Sequence, residues 1–443
     1  MKVVVYSTAS AEGLLGTMVN FRSKPTLSEQ WAAIRERYPE HSFTIVAVER
    51  SAIHLLDFDD EQHEIIPEGV RVIFLSMEAD ADSYVEAIKL EQPDLAIAAS
   101  YSGGSMDWDT IKDSVIAEEL EKSGIRTVAH SLFAATTFFD KWNTHQVLEE
   151  KGFAVAKAVH IPSTYMTLRK DHPDIRSNVY LDLVFHKIKR MQFPLIIKIS
   201  AGSGSNGIDV VNTYAEAKKA ILAREEPADV IVEEFIKGEQ FGTEIHGYPG
   251  NYTVLPPFKA SLNEKGITDP MHNARFGPIT EDKYRIDDLR AMLKRLAEEM
   301  KLAVIANVDL AFDGDKWYII EVNPRTSGLS TSASASEGRT PLEVVLESGL
   351  EKFNFDMPSI LEKCFNFRCY CVDPQELKAF SREPMVKYME SCKVPLEWHP
   401  DLVLANIVLS GFDRFSELPG ILSGLREKYP AVIPETLLSL SIS

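Results

Sequence analysis

Short apolar runs alternate with amphipathic stretches over about the first 130 residues of the chain. Five runs have the length and composition of buried strands, at Val3–Tyr6, Phe43–Val48, Val72–Leu75, Leu95–Ala98 and Thr127–Val128. Apolar positions with helical spacing lie between them, at Ser28–Arg37, Asp82–Lys89 and Ser114–Lys122. Alternation of strands and helices is typical of a parallel sheet covered by helices. We therefore predict an N-terminal parallel α/β domain at residues 1–130.

The pattern changes after residue 130 and becomes rich in strands. Helices are predicted at Thr144–Lys151, Tyr180–Met191, Tyr214–Ala223, Ile286–Met300 and Pro341–Leu350. Strands are predicted at Pro194–Ile199, Ile208–Val211, Val230–Glu234, Gln240–Tyr248, Tyr252–Ala260, Val304–Phe312 and Trp317–Val322. Clustered strands with few helices favour α+β lobes, which we place at residues 131–200 and 201–350. Residues 351–443 are a C-terminal extension to which the pattern assigns no role.

Composition and charge exclude several classes of partner. The net charge of -19 argues against nucleic acid or an anionic membrane as the main partner. No apolar run has the length of a membrane span, and the apolar N-terminus is too short for a signal peptide, so we expect a cytoplasmic protein. Cys364, Cys369, Cys371 and Cys392 favour free thiols over a zinc site made with His399. A monomer and a homodimer are both compatible with the sequence.

Three oxygen ligands converge from the last two predicted strands before residue 325. Asp309 lies within one strand, whereas Glu321 and Asn323 lie two residues apart in the next, so the latter two share a face. A turn at residues 313–315 joins the strands. Mg²⁺ is usually bound by a small number of carboxylates, and its remaining positions are filled by water and phosphate oxygens. The three predicted ligands suit such a site. Arg325, two residues further on, adds a cation to the same side.

A glycine-rich loop follows the predicted strand that contains Lys198. Residues 202–207 match G-x-G-x-x-G, but a dinucleotide-binding turn requires a helix next, and Ile208–Val211 has a strand pattern. The loop therefore reads as a flap between antiparallel strands, able to lay N–H groups over a triphosphate, or as a plain hairpin. Lys198 would need an anionic partner inside an apolar strand, and Lys141 is a second candidate cation.

Taken in order, these features resemble the ATP-grasp superfamily over roughly residues 90–345. The series comprises Lys141, Lys198, the flap at residues 200–207, the segment 231–238, Asp309 and Glu321-x-Asn323. The resemblance implies an α/β plus α+β protein. It would have an N-terminal parallel α/β domain of the pre-ATP-grasp type, a two-lobed ATP-grasp domain and the C-terminal extension.

Within that superfamily the chain is most similar to the D-alanine–D-alanine ligase branch. The segment Ser10-Ala11-Glu12 and the stretch 102–109 resemble two of its characteristic segments. The chain departs from the branch where Asn307 replaces an arginine and Gly204 replaces a serine. Gln240, beside Glu239, occupies the position expected for the ribose-binding carboxylate.

The resemblance implies ATP and Mg²⁺ as cofactors, with two ions and with Mn²⁺ able to substitute. It assigns nucleotide binding to Lys141, Lys198, Gly204, Ser205, Asn206, Gly207, Glu233, Glu234, Phe235, Ile236, Glu239 and Gln240. It assigns metal binding to Asp309, Glu321 and Asn323, and catalysis to Arg325, Arg275, Glu12 and Ser205. Glu12 as a helix cap and Arg275 as an ordinary surface arginine are the alternative readings.

The activity implied is that of an ATP-dependent carboxylate–amine ligase. It would form an amide through an acyl-phosphate intermediate and release ADP and phosphate. A peptide bond is the kind of amide that we expect. Its small-molecule substrates would be a carboxylate and an amine, such as amino acids or a short peptide. Three alternatives stay open: a non-catalytic ATP-binding regulatory protein, a D-alanine–D-alanine ligase proper and a biotin-carboxylase-like enzyme.

Overall fold

The computed structural model describes residues 1–9, 19–49, 52, 54–101, 108–166, 174, 177–202, 208–224, 228–268, 274–350, 361–394 and 402–440. Its strands are β1 (Lys2–Ser7), β2 (Val19–Lys24), β3 (Ser42–Val48), β4 (Asp57–Phe58), β5 (Glu64–Ile65), β6 (Arg71–Leu75), β7 (Leu95–Ala98), β8 (Thr127–Val128), β9 (Ala158–Ile161), β10 (Leu195–Ile199), β11 (Asp209–Val211), β12 (Val230–Glu234), β13 (Glu239–Tyr248), β14 (Asn251–Val254), β15 (Phe258–Ala260), β16 (Ala274–Gly277), β17 (Val304–Phe312), β18 (Trp317–Asn323), β19 (Cys364–Cys371), β20 (Val386–Lys393) and β21 (Val403–Leu409).

The helices lie between these strands in chain order. They are α1 (Leu27–Arg37), α2 (Ala81–Glu91), α3 (Asp109–Lys122), α4 (Leu132–Phe139), α5 (Lys141–Glu150), α6 (Val179–Ile188), α7 (Tyr214–Leu222), α8 (Ile286–Met300), α9 (Ser330–Ser336), α10 (Pro341–Gly349), α11 (Pro374–Phe380) and α12 (Leu418–Lys428). Among the helices of the described residues, none combines the length and apolar character needed to cross a bilayer.

The N-terminal sheet is parallel, as its alternating pattern predicted. Its strand order is β6-β3-β1-β7-β8. The chain adds β3 and β6 on one side of β1, and then adds β7 and β8 on the other side. The switch lies between β1 and β7, whose carboxyl ends meet where the Thr8 amide donates to Ser100 Oγ at 2.7 Å. Ligands of open α/β sheets bind at such a point.

The glycine-rich loop joins two antiparallel strands, as the strand pattern after it predicted. Strands β10 and β11 pair in a four-stranded antiparallel sheet of order β11-β10-β12-β9. A dinucleotide-binding turn is thereby excluded, because a strand rather than a helix follows the loop.

The largest sheet is antiparallel and continues from the second lobe into the C-terminal extension. Strand β16 pairs with β19, which leads through β21 and β20 to β2 at the far edge. Strand β2, near the N-terminus, thus joins this sheet and not the parallel one. The extension also shares the main core, since Leu418, Leu422 and Leu425 of α12 belong to the same apolar cluster as Leu289 and Leu293 of α8.

Two of the differences from the predicted pattern have a plain physical cause. The expected strand Tyr252–Ala260 is divided into β14 and β15, because Pro256 and Pro257 offer no N–H groups to a ladder. Helix α9 was not predicted, since its small residues are all buried and show no amphipathic period.

Helix α10 ties the N-terminal domain to the large sheet. The carboxylate of Glu347 accepts hydrogen bonds from Arg37 Nη1 at 2.6 Å and from Tyr38 Oη at 2.7 Å. On the other side of the same carboxylate, Arg339 Nη1 lies 3.2 Å from Oε2. Arg37 and Tyr38 lie at the end of α1, and Arg339 lies in the turn before α10. This buried carboxylate therefore fixes how the N-terminal domain packs against α10.

Candidate functional site

Two carboxylates face each other on the open side of β17 and β18. Asp309 and Glu321 are direct cross-strand partners in this antiparallel pair. Asp309 is the one residue of β17 that is not fully buried, and Glu321 is half-buried on β18. The hairpin between the two predicted strands therefore brings together the pair that the sequence singled out.

A β-bulge turns Glu321 toward the open side. The pairing register shifts between Asp309 and Leu310, because Leu310 pairs with Ile319 and leaves Ile320 as an extra residue. Trp317, Ile319 and Val322 are buried, whereas Glu321 is partly exposed. Strict alternation from Ile319 would have placed Glu321 on the buried face. The extra residue resets the alternation, as bulges beside active sites commonly do.

Asn323 is oriented by a second buried amide. Its Nδ2 donates to Asn307 Oδ1 at 3.4 Å, and Asn307 Nδ2 donates to the carbonyl of Thr243 at 3.3 Å. Asn307 is 3 % exposed and pairs with Asn323 across the strands. Because the amide nitrogen of Asn323 is directed at Asn307, its oxygen is the atom turned away, available as a ligand to a cation.

We expect Asn307→Ala to weaken Mg²⁺ use without removing a metal ligand. The substitution leaves the Asn323 amide without its orienting acceptor, and partners of this kind commonly account for about 10- to 100-fold in metal affinity. The half-saturating Mg²⁺ concentration for ATP turnover should rise by roughly tenfold, with the thermal midpoint measured in parallel. An unchanged Mg²⁺ requirement would contradict the orienting role.

Arginine and lysine side chains approach both carboxylates. Arg275 Nη2 lies 3.6 Å from Asp309 Oδ1, and Lys141 Nζ lies 3.1 Å from Glu321 Oε1. Lys141 also donates to the carbonyl of Gly202 at 2.7 Å, which links it to the start of the glycine-rich loop. The Arg275 side chain is only 14% exposed and lies beside Asp309, so it is not an ordinary surface arginine.

Burial changes the ionisation of the groups around Asp309. Burial raises the pKa of Asp309, although the neighbouring Arg275 counteracts the rise. Burial likewise lowers the pKa of Arg275, and the charge of Asp309 opposes that change. Each charge is thus stabilised mainly by its neighbour in a poorly solvated place.

Lys198 is buried and paired with an acidic group, as its apolar strand required. Its Nζ lies 2.7 Å from Glu233 Oε2 on the adjacent strand β12, with side-chain exposures of 7 % and 12 %. Burial alone would lower the pKa of Lys198, but the charges of Glu233, Glu321 and Asp309 outweigh it and raise the pKa. The ammonium group is therefore held charged by Glu233, within electrostatic reach of the two carboxylates of the predicted metal site.

The segment predicted to hold adenine and ribose is partly committed to internal contacts. Glu234 Oε1 accepts from the Gln192 amide at 2.9 Å, and the Phe235 amide donates to Pro194 at 3.0 Å. Gln240 Nε2 donates to the carbonyl of Gly266 at 3.1 Å. Glu239 Oε1 lies 2.5 Å from Lys259 Nζ. Ile236 follows Phe235 directly after β12, so the segment joins the four-stranded sheet to β13 of the large sheet.

Some predicted residues cannot be placed. Glu12 and the flap residues Gly204, Ser205, Asn206 and Gly207 lie outside the described residues. Arg325 is placed directly after β18, where its amide donates to Asn323 at 2.8 Å and its Nη1 to Thr326 at 3.2 Å. It therefore stays adjacent to the last predicted metal ligand.

The donor set fits Mg²⁺ better than a transition metal. Within the described part of the chain, no group of three or more His, Cys, Asp or Glu side chains has metal-binding geometry. Two carboxylates and an amide oxygen are hard ligands that leave positions for phosphate and water. Gly242 allows β13 to pack closely against these groups, because a Cβ there would lie 3.1 Å from Leu329 Cδ2, 3.5 Å from Asp309 Oδ1 and 3.8 Å from Arg275 Cζ. The four cysteines are buried free thiols.

A pocket that the sequence did not reveal lies beside this cluster. It is a small, open pocket with a cavity volume of about 30 Å³, at the carboxyl end of β7. Ala99 and Tyr101 line one wall, Leu342 and Val345 of α10 another, and Glu390 of β20 a third. The loop after Arg325 completes the lining, so the pocket adjoins the predicted metal ligands.

Arg368 is a further cation that the sequence did not single out. It lies on β19, and a Cβ at Gly328 would come within 3.0 Å of its Nη2, so the guanidinium packs against the loop after Arg325. Its charge lowers the pKa of Arg275, after the larger effects of burial and Asp309. The signal in the sequence was weak, since an arginine within an apolar strand could equally face solvent.

Comparison with known proteins places the site within a family domain. Residues 138–329 match the family model described as "ATP-grasp domain". That interval contains Lys141, Lys198, Arg275 and the three predicted metal ligands. It confirms the superfamily resemblance drawn from the ordered motifs.

Curated relatives match part of the chain at low identity. A carbamoyl-phosphate synthase of Methanobrevibacter smithii is 25% identical over 253 residues, which cover 56% of this chain and 63% of the relative. A carbamoyl phosphate synthase large chain of Clostridium acetobutylicum is 22% identical over 217 residues, covering 48% of this chain and 18% of the relative. The chain thus spans less than two thirds of the length of these relatives.

Solved structures share the fold over nearly the whole chain. An L-amino acid ligase from Bacillus licheniformis has a TM-score of 0.61 at 14% identity, covering 96% of this chain and 97% of that one. An N5-carboxyaminoimidazole synthetase from Staphylococcus aureus complexed with ADP has a TM-score of 0.61 at 10% identity, covering 96% and 98%. These likenesses confirm the predicted α/β plus α+β fold class.

Proposed function

This chain carries an ATP-grasp domain at residues 138–329, and we propose that it is an ATP-dependent ligase that joins a carboxylic acid to an amine. The proposed products are an amide, ADP and phosphate. The observation that carries the proposal is the cross-strand pair of Asp309 and Glu321, approached by Arg275, Lys141 and Lys198. Two carboxylates with three cations beside them suit a reaction in which a carboxylate must approach the triphosphate of ATP.

The chemistry needs activation because a carboxylate does not react with an amine at neutral pH. A carboxylate oxygen attacks the γ-phosphorus of ATP, the bond to the bridging oxygen breaks, and ADP leaves. The amine nitrogen, which must have lost its ammonium proton, then attacks the acyl carbon. The new C–N bond forms, phosphate leaves with the C–O electron pair, and the nitrogen releases a second proton.

The chain's own groups would position the reactants and neutralise charge. Lys198 and Lys141 would face phosphate oxygens, since both ammonium groups lie beside the carboxylate cluster. Asp309, Glu321 and Asn323 would hold Mg²⁺, which when bound supplies positive charge to the phosphates. Arg275 and Arg325 would orient the carboxylate and stabilise negative charge that develops on its oxygen.

Several roles rest on the family resemblance and remain part of the proposal. The flap residues Gly204, Ser205, Asn206 and Gly207 would cover the γ-phosphate and exclude water. Glu233, Glu234, Phe235 and Ile236 would receive adenine largely through backbone groups, with Glu239 and Gln240 near the ribose. Two metal ions and substitution by Mn²⁺ belong to the same expectation.

A phosphate-release screen tests the function and separates its alternatives. The full-length protein is incubated with Mg²⁺ and ATP plus amino acids and small carboxylates, singly and in pairs, and products are identified by mass. ADP release that requires both an acid and an amine supports the ligase. ATP binding without substrate-dependent release would indicate a regulatory protein, and dependence on bicarbonate with no amine would indicate a carboxylase.

Amino acids are the first substrates to examine. The chain shares its fold over nearly its whole length with a protein named L-amino acid ligase, and this guides the order of the screen. The carbamoyl-phosphate synthases matched in part are also named for a reaction that makes an acyl phosphate. The substrate pair itself belongs to the proposal.

We expect that two D-alanines are not the preferred substrates. The D-alanine branch places an arginine where this chain has Asn307, whose amide is committed to Thr243 and Asn323. Loss of a charged donor to a developing oxyanion costs about 3 kcal/mol, roughly a hundredfold in rate. Phosphate release with D-alanine alone should therefore fall below the best rate among L-amino acids, dipeptides and other carboxylates. The highest rate with D-alanine, yielding D-alanyl-D-alanine, would overturn the inference.

A further inference from the structure

The pocket beside the carboxylate cluster has one acidic side chain at its wall, Glu390 of β20. Apolar side chains of the N-terminal domain and α10 supply much of the remaining surface. Thr326 and Ser327 border the pocket on the side of Arg325. An apolar cavity with a few convergent polar groups is the usual form of a small-molecule site.

One oxygen of Glu390 is held in place and the other is left for a ligand. Glu390 Oε1 lies 3.2 Å from His54 Nδ1 and accepts a hydrogen bond from Tyr388 Oη at 3.2 Å. The Glu390 side chain is only 14% exposed. Within the described residues, no hydrogen bond reaches Oε2. A poorly solvated carboxylate oxygen of this kind is suited to a cationic group.

The backbone of His54 is in the left-handed region, and aromatic rings hold its side chain beside Glu390. Its φ is 70°, in the left-handed region that residues other than glycine rarely adopt. The ring packs between Phe21 at 4.8 Å and Tyr101 at 4.0 Å, measured between centroids. The Trp31 Nε1–H group pins the next residue by donating to the Leu55 carbonyl at 2.8 Å. Strain that the surroundings enforce is common at ligand sites.

Glu390 shares its face of the sheet with a cation. Arg368 of β19 and Glu390 of β20 each pair with Asn406 of β21, so the two side chains lie on the same face, two strands apart. Burial raises the pKa of Tyr101, the Glu390 carboxylate raises it further, and Arg368 and Arg325 lower it. The carboxylate and the two guanidinium groups are therefore all within electrostatic reach of one ring that lines the pocket. Such a separation of charge matches a zwitterion, with its carboxylate toward the arginines and its ammonium toward Glu390.

Building on the proposed ligase function, we propose that Glu390 binds the ammonium group of the α-amino acid whose carboxylate is activated. His54 and Tyr388 act as positioning residues for Glu390. The walls formed by Ala99, Leu342 and Val345 receive an apolar side chain. In the D-alanine–D-alanine ligase branch the glutamate that Glu12 resembles meets the ammonium group of the first substrate, and the present proposal assigns that recognition to the C-terminal extension.

Equilibrium binding tests the assignment without relying on turnover. Calorimetry with Mg²⁺ and a non-hydrolysable ATP analogue compares L-valine with isovalerate, and L-alanine with propionate. The parent protein should prefer each amino acid over the acid that lacks the amino group. Glu390→Gln should weaken amino-acid binding by roughly ten- to a hundredfold, the range for a hydrogen bond to a charged group, and leave the plain acids nearly unchanged.

Matched variants separate recognition from general damage. Glu362→Gln removes a carboxylate of the same extension that pairs instead with Lys387 and Ser410, and it should bind as the parent does. His54→Asn tolerates the left-handed backbone, and with Tyr388→Phe it should reduce the preference for amino acids less than Glu390→Gln. Loss of that preference in Glu12→Gln but not in Glu390→Gln would overturn the proposal.

The outcomes for the site and for the ligase function are distinct. Substrate-dependent ADP release by the parent, with an unchanged amino-acid preference in Glu390→Gln, refutes the site and leaves the ligase function standing. Glu390-dependent binding of an amino acid without ADP release supports the site and refutes the ligase function. Failure of the parent to prefer either amino acid over its plain acid also refutes the site.

Discussion

Replacing Glu321 by alanine should reduce ATP turnover by roughly a hundred- to a thousandfold while the protein stays folded. Glu321 faces Asp309 across the strands, and Lys141 lies 3.1 Å from its Oε1, so the change removes a predicted metal ligand and a neighbour of a predicted phosphate-binding lysine. The fold should tolerate the change, because Glu321 lies on the open side of β18 and not in the core.

Turnover is measured by phosphate release at saturating Mg²⁺ and ATP, with the thermal midpoint recorded for each variant. Glu299→Ala is the matched control, since its side chain is 32 % exposed against 29 % for Glu321 and it pairs with Lys151 away from the site. Glu321→Gln keeps the shape of the side chain and should still lose most of the rate. Parent-like turnover in Glu321→Ala would remove Glu321 from the metal site.

Replacing Lys198 by methionine should weaken both ATP binding and the fold. The substitution leaves Glu233 buried and without the ammonium group that lies 2.7 Å away. Breaking one side of a buried pair costs about 3–5 kcal/mol, because an uncompensated charge stays in a poorly solvated place. Loss of a charged contact to phosphate should weaken ATP binding by roughly ten- to a hundredfold.

A second variant separates the two effects of Lys198. In Lys198→Met combined with Glu233→Gln the unpaired charge is gone, so urea unfolding should show recovery of much of the lost stability while ATP binding stays weak. Lys122→Met, at an exposed pair with Glu119 of the same 2.7 Å separation, should change neither property. Recovery of ATP affinity in the double variant would mean that Lys198 acts only through the fold.

The local parts of the site could be predicted because they lie within short segments. Glu321 and Asn323 are two residues apart on one strand, and a single turn carries that strand back beside Asp309. A buried lysine in an apolar strand predicted an anionic neighbour for Lys198. The structure supplies Glu233 in this position, from the next strand of the sheet.

The pocket could not be predicted because its walls come from distant parts of the chain. Alternation within Val386–Lys393 is compatible with a strand, but it does not indicate that this strand pairs with Val19–Lys24. That pairing and the neighbouring strands carry Glu390 and Arg368 to the site. Partner choice between distant strands depends on the whole sheet, which single-strand patterns do not encode.

The bulge on β18 also determines how this hairpin tolerates changes in length. Ile320 is the residue without a cross-strand partner, flanked by Ile319 and Glu321. Deleting it would leave strict alternation from Trp317 to Asn323, with each remaining side chain on its present face. A natural or designed deletion at this position would therefore keep the carboxylate on the open side and remove only the local bend. Homologues that differ by one residue here could share the same ligands, and an alignment without a gap at Ile320 would match the wrong ones.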